Sequence, residues 1–206
     1  MIEVLINPNK FFKEKISQEI KLIPSAIIVL VAGIIGAISA GMMSTKIMGA
    51  LPKEVAPVMA VGVVAGAFGA LVMVFLMWLI YTGVFYVISL AFHGEGSFKR
   101  VFEFVGYGFI PTIVSSVIGL IAMIYVLPTM EFSFEDPHKI QQSMQAMMNN
   151  PVMQASSIIG ILLTLWSANI WIFGIMHARN LSIRNAVITV GIPIGIYLIY
   201  IIYKLL

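Results

Sequence analysis

The sequence predicts an all-α fold, a polytopic bundle of five membrane-spanning helices, and three observations carry that expectation. Of the 206 residues, 60% are hydrophobic and only 10% charged, with a mean hydropathy of +1.02, too little polar material to cover a soluble globule. The apolar residues fall into five runs, at about 22–43, 58–92, 101–127, 152–176 and 183–205. Each is long enough, at about 1.5 Å per residue, to cross a hydrocarbon core of about 30 Å. The charges gather between the runs, and the whole chain, 1–206, reads as one domain with no linker or change of composition.

The net charge of +3 and the isoelectric point near 9.2 reflect basic loops at a membrane face, and nucleic acid is not an expected partner. The absence of cysteine excludes disulfides and thiol chemistry. The opening Met-Ile-Glu-Val-Leu-Ile-Asn-Pro lacks the basic region, apolar core and cleavage site of a signal peptide, so none is expected to be removed.

Residues 1–21 are expected to form an interfacial helix. Asn7 supplies a cap and Pro8 the first helical position, and Phe12, Ile16, Ile20 and Ile23 recur near helical spacing beside Lys10, Lys13, Lys15 and Lys21. Span one carries a small-residue face, Gly33, Gly36, Ala37, Ala40 and Gly41, suited to close helix contact in lipid. Span two is too long for one upright helix and too short for two spans with a turn. It is expected to be a single tilted or protruding helix packed through Gly62, Gly66 and Gly69, glycines that also admit a break.

A short polar turn, His93-Gly-Glu-Gly-Ser97, then launches span three. Gly94 and Gly96 permit the turn, Ser97 caps the new helix, and Lys99 and Arg100 place positive charge at the membrane face. Pro111 is expected to kink span three, with the hydroxyls of Thr112, Ser115 and Ser116 available to the freed carbonyl. Between Pro128 and Pro151, Asp136-Pro137 followed by Ile140, Met144, Met147 and Met148 predicts a short external amphipathic helix ended by Asn149-Asn150. The methionines read as adaptable apolar packing ahead of a soft-metal site. Spans four and five meet at a second turn, His177 to Ser182, and Pro193 lies inside span five. The two turns resemble each other, His93 matching His177 and Ser97 matching Ser182, as duplication of a hairpin or the shared needs of any such turn would produce.

Basic residues orient the bundle. With the N-terminus in the cytoplasm, Lys10, Lys13, Lys15, Lys21, Lys99, Arg100, Arg179 and Arg184 lie inside and Lys46, Lys53, Lys139 and Lys204 outside. The asymmetry favours N-in, C-out. The ionisable residues near the inner face, His93, Glu95, Glu103, His177 and Arg179, are functional candidates because charge at the membrane boundary is costly. Glu103 either pairs locally with Lys99 or Arg100, or joins His93, Glu95 and His177 in a cytoplasm-facing pocket that binds an ion or relays protons. Asn169 is expected to hydrogen-bond between helices. No catalytic motif is present and no metal or cofactor is expected, so the chain reads as a non-enzyme.

The Asn7-Pro8 and Phe11-Phe12 opening, the five spans, and the turn with Gly94, Gly96, Ser97, Phe98 and Phe102 followed by Gly106-Tyr107 and Pro111 together resemble the Yip (Ypt-interacting protein) family. In its brevity the chain is similar to the family's compact prokaryotic members. The resemblance implies a five-span protein with a cytosolic N-terminus, whose eukaryotic members reside in the Golgi and endoplasmic reticulum, engage Rab GTPases and one another, and take part in vesicle formation and membrane shaping. This chain lacks their long cytosolic N-terminal region, which weighs against small-GTPase binding. The function implied is membrane organisation or a trafficking-like process through contacts with itself or other membrane proteins, in the plasma membrane if the host is a prokaryote. The contact surface would be Gly94, Gly96, Phe98, Arg100, Glu103, Gly106, Tyr107 and Pro111. The alternative is a small transporter or ion-binding channel around Glu103.

Overall fold

The structure, a computed structural model, describes residues 2–49, 56–132 and 137–205, with side chains throughout except at 56–60, 137–140, 204 and 205. Lys53, Glu54, Glu135 and Asp136, and the side chains of Lys139, Ile140 and Lys204, lie outside the described residues. Every regular element among the described residues is helical: α1 (Ile2–Ile6), α2 (Pro8–Lys15), α3 (Leu22–Gly49), α4 (Ala56–Leu90), α5 (Phe98–Tyr107), α6 (Ile110–Val126, continued by a 3-10 turn over Leu127–Thr129), α7 (Pro137–Met148), α8 (Pro151–Ala178) and α9 (Ile183–Leu205). Among the described residues, five segments are long and apolar enough to cross a membrane: Leu22–Gly49, Val61–Leu90, Ile110–Thr129, Pro151–Ala178 and Ile183–Tyr203.

The N-terminal helical segment is present as two short helices hinged at Asn7. The Asn7 side chain accepts the Lys10 N–H at 3.1 Å with Pro8 at the first position, the cap that the sequence specifies. Lys10 reaches back to Glu3 at 2.9 Å, and that hydrogen bond and charge raise the Lys10 pKa above the ordinary lysine value. The lysine side of the pair is therefore fully charged below the ordinary lysine range and loses its proton only as pH rises through the raised value. These helices dock on α8. Val4 and Phe12 are fully buried, and Trp166 of α8 donates to the Leu5 carbonyl at 3.2 Å.

α3 and α4 form an antiparallel hairpin, since Gly33 faces Leu71 and Gly66 faces Ser44. The small-residue face is used in part. A Cβ at Gly33 would touch the Leu71 backbone, whereas nothing lies within 4 Å of one at Gly36, Gly41, Gly62 or Gly69. α4 runs through Gly66–Gly69 unbroken for 35 residues, about 52 Å at 1.5 Å per residue, because each glycine still donates its N–H to the ladder. Its first half exposes Val61, Val64 and Phe68, apolar surface suited to lipid.

Span three departs from the expected single kinked helix. The chain leaves α5 at Tyr107, turns through Gly108 and Phe109, and starts α6 at Ile110. Pro111 has no N–H for the Tyr107 carbonyl, and the turn is closed by shorter bonds, Gly108 N–H to Val105 at 3.1 Å and Phe109 N–H to Gly106 at 3.2 Å. The hydroxyls of Thr112, Ser115 and Ser116 do not bond back to α5. Trp171 makes the decisive contact: a Cβ on Gly108 would overlap its indole nitrogen, which donates to the Val105 carbonyl at 2.8 Å.

α7 buries Met147 and leaves Met144 and Met148 partly exposed. Asn150 ends this connection and also starts α8, accepting the Val152 N–H at 2.9 Å with Pro151 at the first position. Asn169 is not an interhelical bonder. It is exposed on α8 without a hydrogen bond to a described residue, while Ser167 is buried. Two residues apart on a helix point about 200° apart, so only one of them can face the bundle. α9 continues through Pro193.

Candidate functional site

The two turns at the basic end of the bundle are built alike and joined to each other. Each closes its helix with a residue in the left-handed region, His93 at φ 56° and Asn180 at φ 51°. Each also has a bond spanning five residues, from Gly94 N–H to the Ser89 carbonyl at 3.0 Å and from Leu181 N–H to the Met176 carbonyl at 2.9 Å, the Schellman pattern that satisfies terminal carbonyls. Ser97 then caps α5 and Ser182 caps α9. By geometry His93 corresponds to Asn180, so the alignment of His93 with His177 does not hold.

Arg179 locks the turns together. Its side chain is buried, donating Nε–H to the Ser89 hydroxyl at 2.9 Å and its two terminal nitrogens to the Gly94 and Gly96 carbonyls, while the guanidinium lies 4.4 Å from the Tyr86 ring centroid. No carboxylate pairs with it among the described residues. Dipoles and an aromatic face hold the charge instead, which suits a planar five-donor cation. The backbones also touch: Glu95 N–H donates to the Arg179 carbonyl at 2.9 Å. Gly96 has φ +118°, and a Cβ there would overlap the Ala178 carbonyl, so glycine is required twice over.

α5 is the second anchor. Its carbonyls are held by three other helices: Ser25 of α3 donates to Glu103 at 2.6 Å, Trp78 of α4 to Phe102 at 2.9 Å, and Trp171 of α8 to Val105. The Trp78 indole also stacks on Phe102 at 3.8 Å between centroids, and Gly106 is small because Ser25 and Trp78 press on it. The Glu103 carboxylate is 0% exposed. Arg100 Nη1 lies 2.7 Å from its Oε2, Lys15 Nζ 3.3 Å from its Oε1, and the Lys21 N–H donates to Oε1 at 3.2 Å. Arg100 also donates to the Ile16 and Gln18 carbonyls. Together, Glu103 and Arg100 tie the segment between α2 and α3 to the bundle. Phe12 completes the packing, 4.7 Å from the Phe104 ring and against Gly174.

The candidate residues therefore separate into an inside and an outside set. Arg100, Glu103, Gly106, Tyr107 and Pro111 are buried in this knot. Gly94 is partly buried against Arg179. Phe98 is 39% exposed, edge-on to Tyr86 at 5.4 Å, and His93, Glu95 and Lys99 lie on the surface. His177 is half-buried and bonds to Asn9 at 2.8 Å. Neither histidine contacts Glu103, and the partner of Glu103 is Arg100, joined by Lys15, in place of Lys99. Sequence reasoning missed Lys15, Ser25, Trp78 and Trp171 as members of the site, because nothing local marks residues 24 to 88 positions away. It named Arg179 only as one charge among several, although an arginine beside a helix-ending turn is a signal for carbonyl capture.

Residues 2–204 match the Yip1 domain. The chain belongs to the Yip1 family. Within this Yip1 protein, a stretch of 120 residues, 58% of the chain, is 38% identical to an uncharacterized protein of the archaeon Methanocaldococcus jannaschii, of which it covers 85%. No solved structure matches. Membership makes the chain an integral membrane protein in contact with the bilayer, and the Yip1 family is not a known enzyme family.

Proposed function

We propose that this Yip1 protein is a non-enzyme that acts through helix and protein contacts in membrane organisation, its basic end in the cytoplasm and the turn from His93 to Lys99 as its contact surface. The observation that supports this reading is the enclosure of Glu103. A carboxylate held by two cations and a backbone N–H, with no exposed surface, serves as an internal strap and is poorly disposed to take up and release ions. The groups left outside, His93, Glu95, Phe98 and Lys99, form a mixed aromatic and charged face suited to another membrane protein or a second copy. The positive-inside asymmetry supports a cytoplasmic N-terminus, and the plasma membrane of a prokaryote is the proposed location.

The absence of native cysteine makes a direct test simple. A single Lys99→Cys variant carrying a photo-crosslinker in native membranes should give discrete adducts of fixed mass, lost in Phe98→Ala. Ion or proton flux in proteoliposomes that disappears in Glu103→Gln would overturn the reading in favour of a transporter.

A further inference from the structure

Away from the basic end, α4, α6, α8 and α9 enclose two adjoining cavities of about 210 and 280 Å³ that share Thr164 and Tyr197. The first is walled by apolar side chains, among them Met73, Met77, Phe109 and Trp171, but Ser167 also lines it. Ser167 is 1% exposed, and its buried hydroxyl has no hydrogen-bond partner among the described residues. Thr112 of the first cavity and Ser115 of the second also make no hydrogen bond to a described residue. They contrast with Ser156, Ser157 and Thr164, whose hydroxyls donate to carbonyls of their own helix and keep lone pairs for a further donor. At membrane depth no bulk water is available to satisfy such groups. Neither cavity is lined by a charged side chain, which disfavours an ion or a phosphate-bearing head group. The matching ligand is neutral and both donates and accepts. The slot also opens sideways, for Met73 on α4 is 55% exposed and Tyr197 on α9 is 42% exposed, so access is from the bilayer.

We infer that this slot binds a neutral, alcohol-headed lipid of the diacylglycerol class. Its hydroxyl sits in the first cavity against Thr112, Thr164 and Ser167, an ester carbonyl reaches Ser115 in the second, and its chains leave past Met73 and Tyr197. The inference is independent of the contact surface proposed above. The test is photolabelling of the whole protein in phosphatidylcholine nanodiscs containing a small fraction of a diazirine-bearing diacylglycerol. Adducts are expected on α8 near Thr164 and on α9 near Tyr197, and unlabelled diacylglycerol should compete them away. Thr164→Val keeps the shape and removes the hydroxyl, and Ser167→Leu fills the apolar half. Thr164→Val should lower competable labelling about tenfold, the effect of roughly one buried hydrogen bond, Ser167→Leu should abolish it by occupying the cavity, and thermal melting identifies any variant that fails to fold. Labelling equal to that from a diazirine phosphatidylcholine, insensitivity of labelling to both folded variants, or competition by glycerol alone would overturn the inference. So would hydroxyls reached by water with no competable labelling.

Discussion

Arg179 and Glu103 are both buried ionised residues, but their surroundings differ in kind, and that difference sets what each substitution should do. Arg179 satisfies a hydroxyl and two carbonyls that belong to the end of α4 and the turn that leads into α5. Arg179→Leu leaves those oxygens without donors and should cost about 2–4 kcal/mol in denaturant unfolding in detergent, and Arg179→Lys should recover only part, having charge without the planar fork. Glu103 neutralises Arg100 and Lys15. Glu103→Ala strands buried positive charge and should cost about 3–5 kcal/mol, while Glu103→Gln, which keeps an acceptor, should cost less. The sequence around Glu103 made the Arg100 pairing legible, because three residues on a helix bring the two side chains together. Lys15 was not legible, since its approach depends on how the N-terminal helices fold back.

At the scale of elements, the break between α5 and α6 and the docking of α2 decide the form of the basic end. Pro111 signals an interruption in the sequence, but a proline alone gives a kink in a continuing helix. The full break comes from Trp171, which occupies the space at Gly108 and takes the Val105 carbonyl. The α2 cap was readable from Asn7-Pro8, whereas its burial was not, because Phe12 finds its neighbours in α5 and α8. Phe12→Ala should therefore cost about 3–5 kcal/mol as a large-to-small core change. It should also speed tryptic cleavage after Lys15, which loses its hold on Glu103 once α2 loosens. Unchanged cleavage would show that α2 is held by its other contacts alone.

At the scale of the molecule, the arrangement is a knot of aromatic and charged residues at one end and loosely packed apolar helices at the other. The knot holds Arg100, Glu103, Arg179 and the stacked rings, whereas the first half of α4 is largely exposed. With the N-terminus in the cytoplasm, an impermeant maleimide should label a cysteine at Lys99 only from the cytoplasmic side of sealed vesicles and one at Lys46 only from the other. The reverse pattern would invert the proposed topology. The sequence by itself determined the fold class, the five spans, the caps at Asn7 and Ser97, and the resemblance to the Yip family. Hydrophobic run length and short-range backbone chemistry act within a few residues and can be read in order. Only the tertiary structure decided that α5 stands apart from α6, that Arg179 holds the turn at Gly94 and Gly96, that Lys15 joins Glu103, and that Ser167 faces a cavity while Asn169 does not. Those outcomes depend on which helix lies beside which, and in lipid that choice is made by close packing and hydrogen bonds between distant residues, which leave no periodic trace in the chain.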